Sequence, residues 1–457
     1  MPSSAPRLWW IPLAVALTLV GPTAAVADDW PQWLGPRRDG VWREHGILQQ
    51  FPPGGPKVLW RTPLGGGYAG PAVAGGRVYV TDRVLAPGAR DPDDPFRRAG
   101  SVGRERVVCL DEATGRVLWT HAYDCRYQIS YPCGPRATPL IHDGLVYTLG
   151  AMGDLLCLDA ATGKVVWSKN FPRDFGAQVP LWGFAAHPLL DGDRLICLAG
   201  GKGSVVVALD RHTGDTRWKA LSLEAAELGY CPPMIYELGR RRQLIIWHPE
   251  AVNGLDPETG AVYWSFPFKV GANLSIPTPR IVGDLLFITS FYNGPLLLHF
   301  DPAAAVPTLV WRGRGRGEQP HQTDKLHSII ATPVIRDGYI YGVCSYGELR
   351  CLRLSDGKRL WQTLAATCGG TDPQRWANAF LVENGERYIL FNEKGDLIIA
   401  RLSPQGYQEI DRAHILEPTG KALQRSVVWS HPAFADRRVF ARNDKEIVCV
   451  SLRADRQ

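Results

Sequence analysis

A ten-residue phrase returns along the chain at nearly constant spacing, and that regularity limits the fold more than any other feature. LDEATGRVLW ends at Trp119, LDAATGKVVW at Trp167, LDRHTGDTRW at Trp218, LDPETGAVYW at Trp264 and LRLSDGKRLW at Trp361, while FDPAAAVPTLVW is a degenerate copy ending at Trp311. Successive Trp residues lie 48, 51, 46, 47 and 50 positions apart. A repeat of this length, with β-branched alternation and no helical periodicity inside it, indicates propeller blades or a similar β-repeat. Each blade has a second landmark, a small or polar residue before Pro and then a hydrophobic pair, at Pro71, Pro139, Pro188, Pro233, Pro279, Pro333, Ala379 (where Pro is replaced) and Pro432. Eight landmarks predict eight blades.

Between the landmarks, turns such as the Asp-Gly of LIHDGLVYTLG join alternating strands. A blade reads as three strands, the phrase as a hairpin, and a last strand carrying Trp. The final blade is one strand short, and PKVLWRTPL, residues 56–64, is a Trp-bearing strand without a blade. The chain is therefore expected to be all-β: a single eight-bladed β-propeller of four-stranded antiparallel blades, with the N-terminal strand completing the last one and removing open edges. Two or three domains would be the ordinary prior for 457 residues. One closed ring over residues 56–453 takes their place.

Within the phrase, residue types fit a tight hairpin. The carboxylates of Asp111, Asp159, Asp210 and Asp256 can accept main-chain N–H bonds, and Gly115, Gly163, Gly214, Gly260 and Gly357 suit a loop needing positive φ. Trp119, Trp167, Trp218, Trp264, Trp311 and Trp361 end outer strands, where their rings can pack between blades. A catalytic reading of Asp, Thr and Lys164 fails on comparison of the copies, because Arg116, Asp215, Ala261 and Lys358 stand in the place of Lys164.

Ahead of the propeller, residues 1–27 read as a signal peptide: one Arg, the apolar run LWWIPLAVALTLV, and Ala25-Val26-Ala27 at the cleavage position. Residues 28–55 form an N-terminal extension. The chain is expected to be exported, periplasmic or secreted, without a transmembrane segment, and no Cys precedes Cys109 to carry a lipid there. A net charge of +6 is small for the length and points away from nucleic acid.

The phrase resembles the A-x-D-x-x-T-G-x-x-x-W repeat of the pyrroloquinoline-quinone (PQQ) dehydrogenase-like propellers over roughly residues 57–453. It is similar as well to the repeat of BamB, a propeller lipoprotein of outer-membrane β-barrel assembly, and DWPQWLGPRRDGVWREHG looks like the start of exported PQQ-like repeat proteins. The resemblance implies the fold and leaves activity open, since enzymes and scaffolds share such blades. In the dehydrogenases PQQ lies over a Trp, commonly beside adjacent half-cystines, with Ca²⁺ held by Glu, Asn and Asp. This sequence has no Cys-Cys pair and no C-x-x-C-H, and no ligand can be carried over residue by residue. No cofactor is expected; PQQ with Ca²⁺ belongs to the alternative reading.

Other chemistries are not supported: H-E-x-x-H, G-x-S-x-G and a P-loop do not occur. His321 and His327 come nearest to metal-ligand spacing and read as loop residues. Cys109, Cys157, Cys351 and Cys449 occupy one repeat position and read as small buried hydrophobes, whereas Cys125 and Cys133 share an inter-blade loop and could form a disulfide. Segments entering each Pro landmark should line one face of the channel. They supply Tyr131, Arg136, Trp182, His187, Tyr230, Asn273, Ser275, His327, Trp376, Asn378, Trp429 and His431, a set suited to a planar or sugar-like ligand or a peptide. Loops 82–106 and 312–325 read as solvated, with partner docking as the sharper possibility, and WHPE at 247–250 as a strand-end turn. The expected function is a monomeric, non-catalytic binding or scaffolding module at the cell envelope, meeting a protein partner or small ligand at the propeller face. The alternative is a PQQ-dependent dehydrogenase oxidising an alcohol or sugar.

Overall fold

The computed structural model describes Met1 and residues 28–98, 100–223, 227–315, 317–370 and 372–454, so the expected signal segment lies, beyond Met1, outside the described residues. Seven consecutive four-stranded antiparallel sheets span residues 72–127, 140–170, 189–220, 234–267, 280–312, 334–363 and 379–414. The eighth combines Ala433–Ala435, Arg438–Arg442 and Glu446–Ser451 with Val58–Pro63 on its outer edge. Trp60 is registered with Cys449 and Val58 with Val450, so the N-terminal strand completes the last blade as expected. Helix is confined to one five-residue turn, Phe171–Phe175, and two short 3₁₀ segments among the described residues.

The hairpins form as their residue types dictate. Asp159 accepts hydrogen bonds from the Thr162 amide (2.8 Å) and hydroxyl (2.6 Å), and these hold its carboxyl below the usual carboxylate range. Asp111 does the same with Thr114. One pair beyond each hairpin the register slips by a residue, between Cys109 and Leu110 in blade one and between Cys157 and Leu158 in blade two. Such a bulge strengthens the local twist. Cys109, Cys157, Cys351 and Cys449 are all buried and stand opposite Trp119, Trp167, Trp361 and Trp60, the equivalent third-strand positions anticipated from the repeat.

Each Trp joins its blade to the next. Trp119 Nε1 donates to Ala160 O (3.1 Å), Trp167 to Arg211 O (2.9 Å), Trp311 to Leu354 O (2.8 Å), Trp361 to Ser403 O (2.8 Å) and Trp60 to Glu112 O (2.9 Å), each acceptor lying in the following blade's hairpin. Two Trp residues depart from the pattern: Trp218 Nε1 is buried without a hydrogen-bond partner, and Trp264, whose next hairpin is the degenerate copy, bonds Gln243 Oε1 in its own blade through Nε1 (2.6 Å). The phrase glycine is the other half of the joint. At Gly163, φ is 72° and an added Cβ would sit 2.5 Å from the Trp119 ring. Gly115, Gly214, Gly260 and Gly357 meet Trp60, Trp167, Trp218 and Trp311 in the same way. Gly163→Ala should therefore cost about 2 kcal/mol through left-handed strain and crowding, while exposed Lys164→Ala should stay within about 0.5 kcal/mol. Urea unfolding of both variants checks this, and equal midpoints would remove the joint from the account.

Two loops stand out from the repeat. In 82–106, residues up to Leu85 and from Ser101 onward continue the blade-one strands, with Leu85 opposite Gly103. The tip is largely exposed, as a solvated loop should be, but it is tied back toward the channel, because Pro95 O accepts the Tyr131 amide (2.6 Å) and Phe96 O accepts the Ser130 hydroxyl (2.7 Å). Within 312–325, Asp324 Oδ2 and Oδ1 accept the amides of Arg314 (2.8 Å) and Gly315 (3.0 Å), and Glu318 pairs with Arg375 (2.6 Å). That loop is held by these bonds while Arg314, His321, Gln322 and Asp324 stay exposed. WHPE forms the expected turn between Arg241–Trp247 and Ala251–Leu255. Cys125 and Cys133 are both free thiols. Cys125 is held in an outer strand opposite Gly103, while Cys133 lies against Gly66 of the segment entering blade one, which keeps the two thiols from the bridge their shared loop allowed.

Candidate functional site

Antiparallel order within every blade places the crossovers from one blade to the next on one face, and the Asp-Gly turns and phrase hairpins on the other. The extension 28–55 enters the channel from the hairpin face. Asp29 accepts the Gly75 amide in a blade-one turn (3.2 Å), and Trp30 exchanges two 2.9 Å main-chain bonds with Val73 on the inner strand of that blade. Trp33 reaches deepest, with Nε1 donating to Thr278 Oγ1 (3.1 Å). Arg38, buried, donates to Pro188 O (2.9 Å) and Pro233 O (3.3 Å), and Arg280 returns a bond to Asp39 O (2.5 Å). The segment leaves past blades seven and eight, where Asn384 Nδ2 donates to Trp42 O (2.9 Å) and Leu48 N to Leu452 O (2.8 Å). It is a strap that stops the channel.

Above the strap lies a cup of about 390 Å³ on the crossover side. Trp33 forms its floor, stacked on His187 at 4.0 Å and 8° and edge-on to His431 at 5.0 Å. Tyr131, Trp376 and Trp429 form one wall, with ring centroids 5.8–6.3 Å apart, and Trp182 and Tyr230 pair at 5.8 Å on another. Phe96 leans in from the blade-one loop onto Tyr131 (5.1 Å) and Trp376 (5.4 Å). Offset and edge-on contacts of this kind add attraction beyond area burial. The backbone is strained at the rim: Tyr131 (φ 53°) and Trp376 (φ 64°) occupy the left-handed region, an outlying conformation for bulky side chains.

Charge in the cup has one sign. Arg136 lies over the Tyr68 ring at 5.2 Å, and its guanidinium is held by the main-chain carbonyls of Gly134, Ser130 and Tyr131 rather than by a carboxylate. Arg375 stacks on Trp376 at 4.5 Å and is neutralised by Glu318. The two histidines are neutral near pH 7. Burial depresses His187 well below its ordinary value, with Arg38 and His431 adding repulsion, and its Nδ1 accepts the Thr138 amide (2.8 Å). Burial brings His431 down to about 4 against a 2.6 Å bond between its Nδ1 and Pro432 O, leaving Nε2 without a protein partner. Tyr131 Oη and Trp376 Nε1 are likewise buried and unpartnered.

Of the expected ring, Tyr131, Arg136, Trp182, His187, Tyr230, Trp376, Trp429 and His431 come together in the cup. Asn273, Ser275, His327 and Asn378 do not. Asn273 sits in a 3₁₀ turn whose neighbours Ala272 and Leu274 face the cavity, and buried Ser275 offers its carbonyl to the Tyr230 amide. The fully buried His327 ring turns away into the blade-five wall, with Nδ1 against Phe291 O (3.0 Å). Asn378 is buried and supplies its carbonyl to the Glu393 amide (3.1 Å). The sequence reading missed Trp33, Tyr68, Phe96, Tyr292 and Arg375. Tyr68 carried a signal, since it precedes Pro71 as the other aromatics precede their landmarks.

The lining tests the cofactor of the dehydrogenase-like fold. Calcium needs several converging oxygens, yet the cup presents no carboxylate among the described residues, and no three His, Cys, Asp or Glu side chains there converge on a metal position. The donor set does not fit Ca²⁺. Nor is any described helix long and apolar enough to cross a membrane.

Comparison with known proteins agrees with the repeat. The family model described as outer membrane protein assembly factor BamB matches residues 103–363 and 251–431. BamB of Yersinia pestis is 23% identical over 216 residues, covering 45% of this chain and 48% of its own length, so the match spans about half of that relative. The crystal structure of BamB from Moraxella catarrhalis aligns with a TM-score of 0.55 at 18% identity, over 88% of this chain and 99% of that one. Quinohemoprotein alcohol dehydrogenase from Comamonas testosteroni aligns at 0.58 and 14%, over 94% and 81%. At such identities the structural likeness is one of fold. Because the family match spans most of the blades, the chain belongs to the PQQ-like propeller family described as outer membrane protein assembly factor BamB.

Proposed function

We propose that this protein is an exported, non-catalytic binding or scaffolding module of the cell envelope, working in outer-membrane protein assembly as the family description reads and requiring no bound quinone. The observation that carries this reading is the make-up of the cup: aromatic walls, a stopped floor, and no carboxylate or thiol among its described lining residues. Proton transfer at neutral pH calls for a group titrating near that pH. His431, brought down to about 4, is a weak base, and the Nδ1 of His187 is taken up by a main-chain amide.

The mature protein, titrated with PQQ and Ca²⁺ and offered primary alcohols and aldoses with a dye acceptor, is expected to leave both the quinone absorbance and the dye unchanged. Stoichiometric binding with turnover would establish the dehydrogenase reading instead. In cells lacking the protein, folded outer-membrane barrels, read by heat-modifiable gel mobility, should decline. Unchanged barrel levels would remove the assembly role.

A further inference from the structure

The cup contains features that a channel plug does not need. Two bulky residues, Tyr131 and Trp376, hold left-handed backbone conformations at its rim, and each keeps a buried polar atom unpartnered there. Strain of this kind persists where surrounding structure enforces it, and it clusters at ligand clamps. A third unpartnered atom, His431 Nε2, lies near the floor. Since Nδ1–H of His431 is committed to Pro432 O, the free Nε2 of the neutral ring is an acceptor. These three unpartnered polar atoms lie buried in the walls and floor, and what the lining residues bring to the cavity is aromatic rings and the Arg136 guanidinium.

Its charge narrows the ligand further. Aromatic walls alone would favour a cation through their ring faces. Here Arg136 contributes a positive charge that no carboxylate offsets, and Arg375 is balanced by Glu318. A cationic ligand would meet repulsion in a confined apolar site, and a polyanion would find one uncompensated charge for several carboxylates. We infer that the cup binds a largely apolar, ring-bearing organic acid with a single negative charge, its carboxylate toward Arg136 and its ring among Tyr131, Trp182, Trp376 and Trp429. A volume near 390 Å³ falls in the range of small-molecule sites. This inference does not depend on an envelope partner or on an assembly role.

Matched probes test it by isothermal titration on the full mature chain: 1-naphthaleneacetate, its neutral amide, and 1-naphthylmethylamine share a ring and differ in charge. The acetate is expected to bind at least about tenfold more tightly than the amine, with the amide between them, a step of about 1.4 kcal/mol. Arg136→Gln should bring acetate and amide together. Ala185→Trp and Ile276→Trp, each filling the cup from a different wall, should abolish acetate binding while keeping the wild-type thermal midpoint within a few degrees. Equal binding of the three probes, no binding of any, or acetate binding that survives in whichever filled variant stays folded would each overturn the inference.

Discussion

Trp30→Ala is expected to destabilise the protein by about 3–5 kcal/mol, the range for removing a large aromatic from a close-packed interior. Trp30 is 2% exposed, and its ring lies 5.4 Å from Phe434 and 6.4 Å from His431. Gly35 closes over the ring so tightly that a Cβ there would stand 2.9 Å from it, so little can collapse into the space left behind. The main-chain pairing of Trp30 with Val73 would also lose its anchor. Equilibrium unfolding in urea, with exposed Arg37→Ala as a near-neutral control, measures the difference. A cost below about 1 kcal/mol would mean that the strap rests on the ring without being part of its core.

The second large effect is a loss of stability on mild acidification. His431 falls from an ordinary 6.5 to about 4 in the folded protein, and His187 moves in the same direction, both chiefly by burial. Below pH 6.5 the unfolded chain takes up protons that the folded chain refuses. The stabilisation is whole above pH 6.5 and is lost as pH falls toward 4, with His431 alone accounting for about 3 kcal/mol. The hairpin carboxyls act in a separate window, since Asp159 is depressed from 3.8 and Asp210 lies at about 2, so their contribution fades only below about pH 4. Chemical unfolding at pH 7 and 4.5 should show the decline, and His431→Phe should reduce it by about a third. Buried His248, also brought to about 4, and His187 account for the remainder. A decline of the same size in His431→Phe would refute the assignment.

The blades were legible because Trp119, Gly163 and their counterparts carry one local task repeated at fixed spacing. A Trp on one outer strand needs a glycine in the neighbouring hairpin, and both ends of that requirement are written in the phrase. The cup was legible to the extent that it follows the same rule, since crossovers enter the channel just before each landmark and deliver Tyr131, Trp182, Trp376 and Trp429. The rule fixes position along the chain but not the direction of a side chain. His327 obeys it and still turns into a blade wall, where Phe291 O receives its ring nitrogen. The strap lay beyond reach for a different reason. Trp33 meets Thr278 across 245 positions, a contact made once and announced by no spacing.

Completion of the last blade by Val58–Pro63 also imposes an order on folding. Arg61 meets Glu446 across 385 positions, so a chain emerging from its N-terminus holds this strand unpaired until the final segment arrives. Pairing at such separation is slow and leaves edges exposed in the meantime. A chain made from one end is vulnerable for the whole of its synthesis, and a truncation near the C-terminus strands both of its ends at once. Interrupted synthesis should thus yield aggregates or protease fragments in place of a seven-bladed remnant.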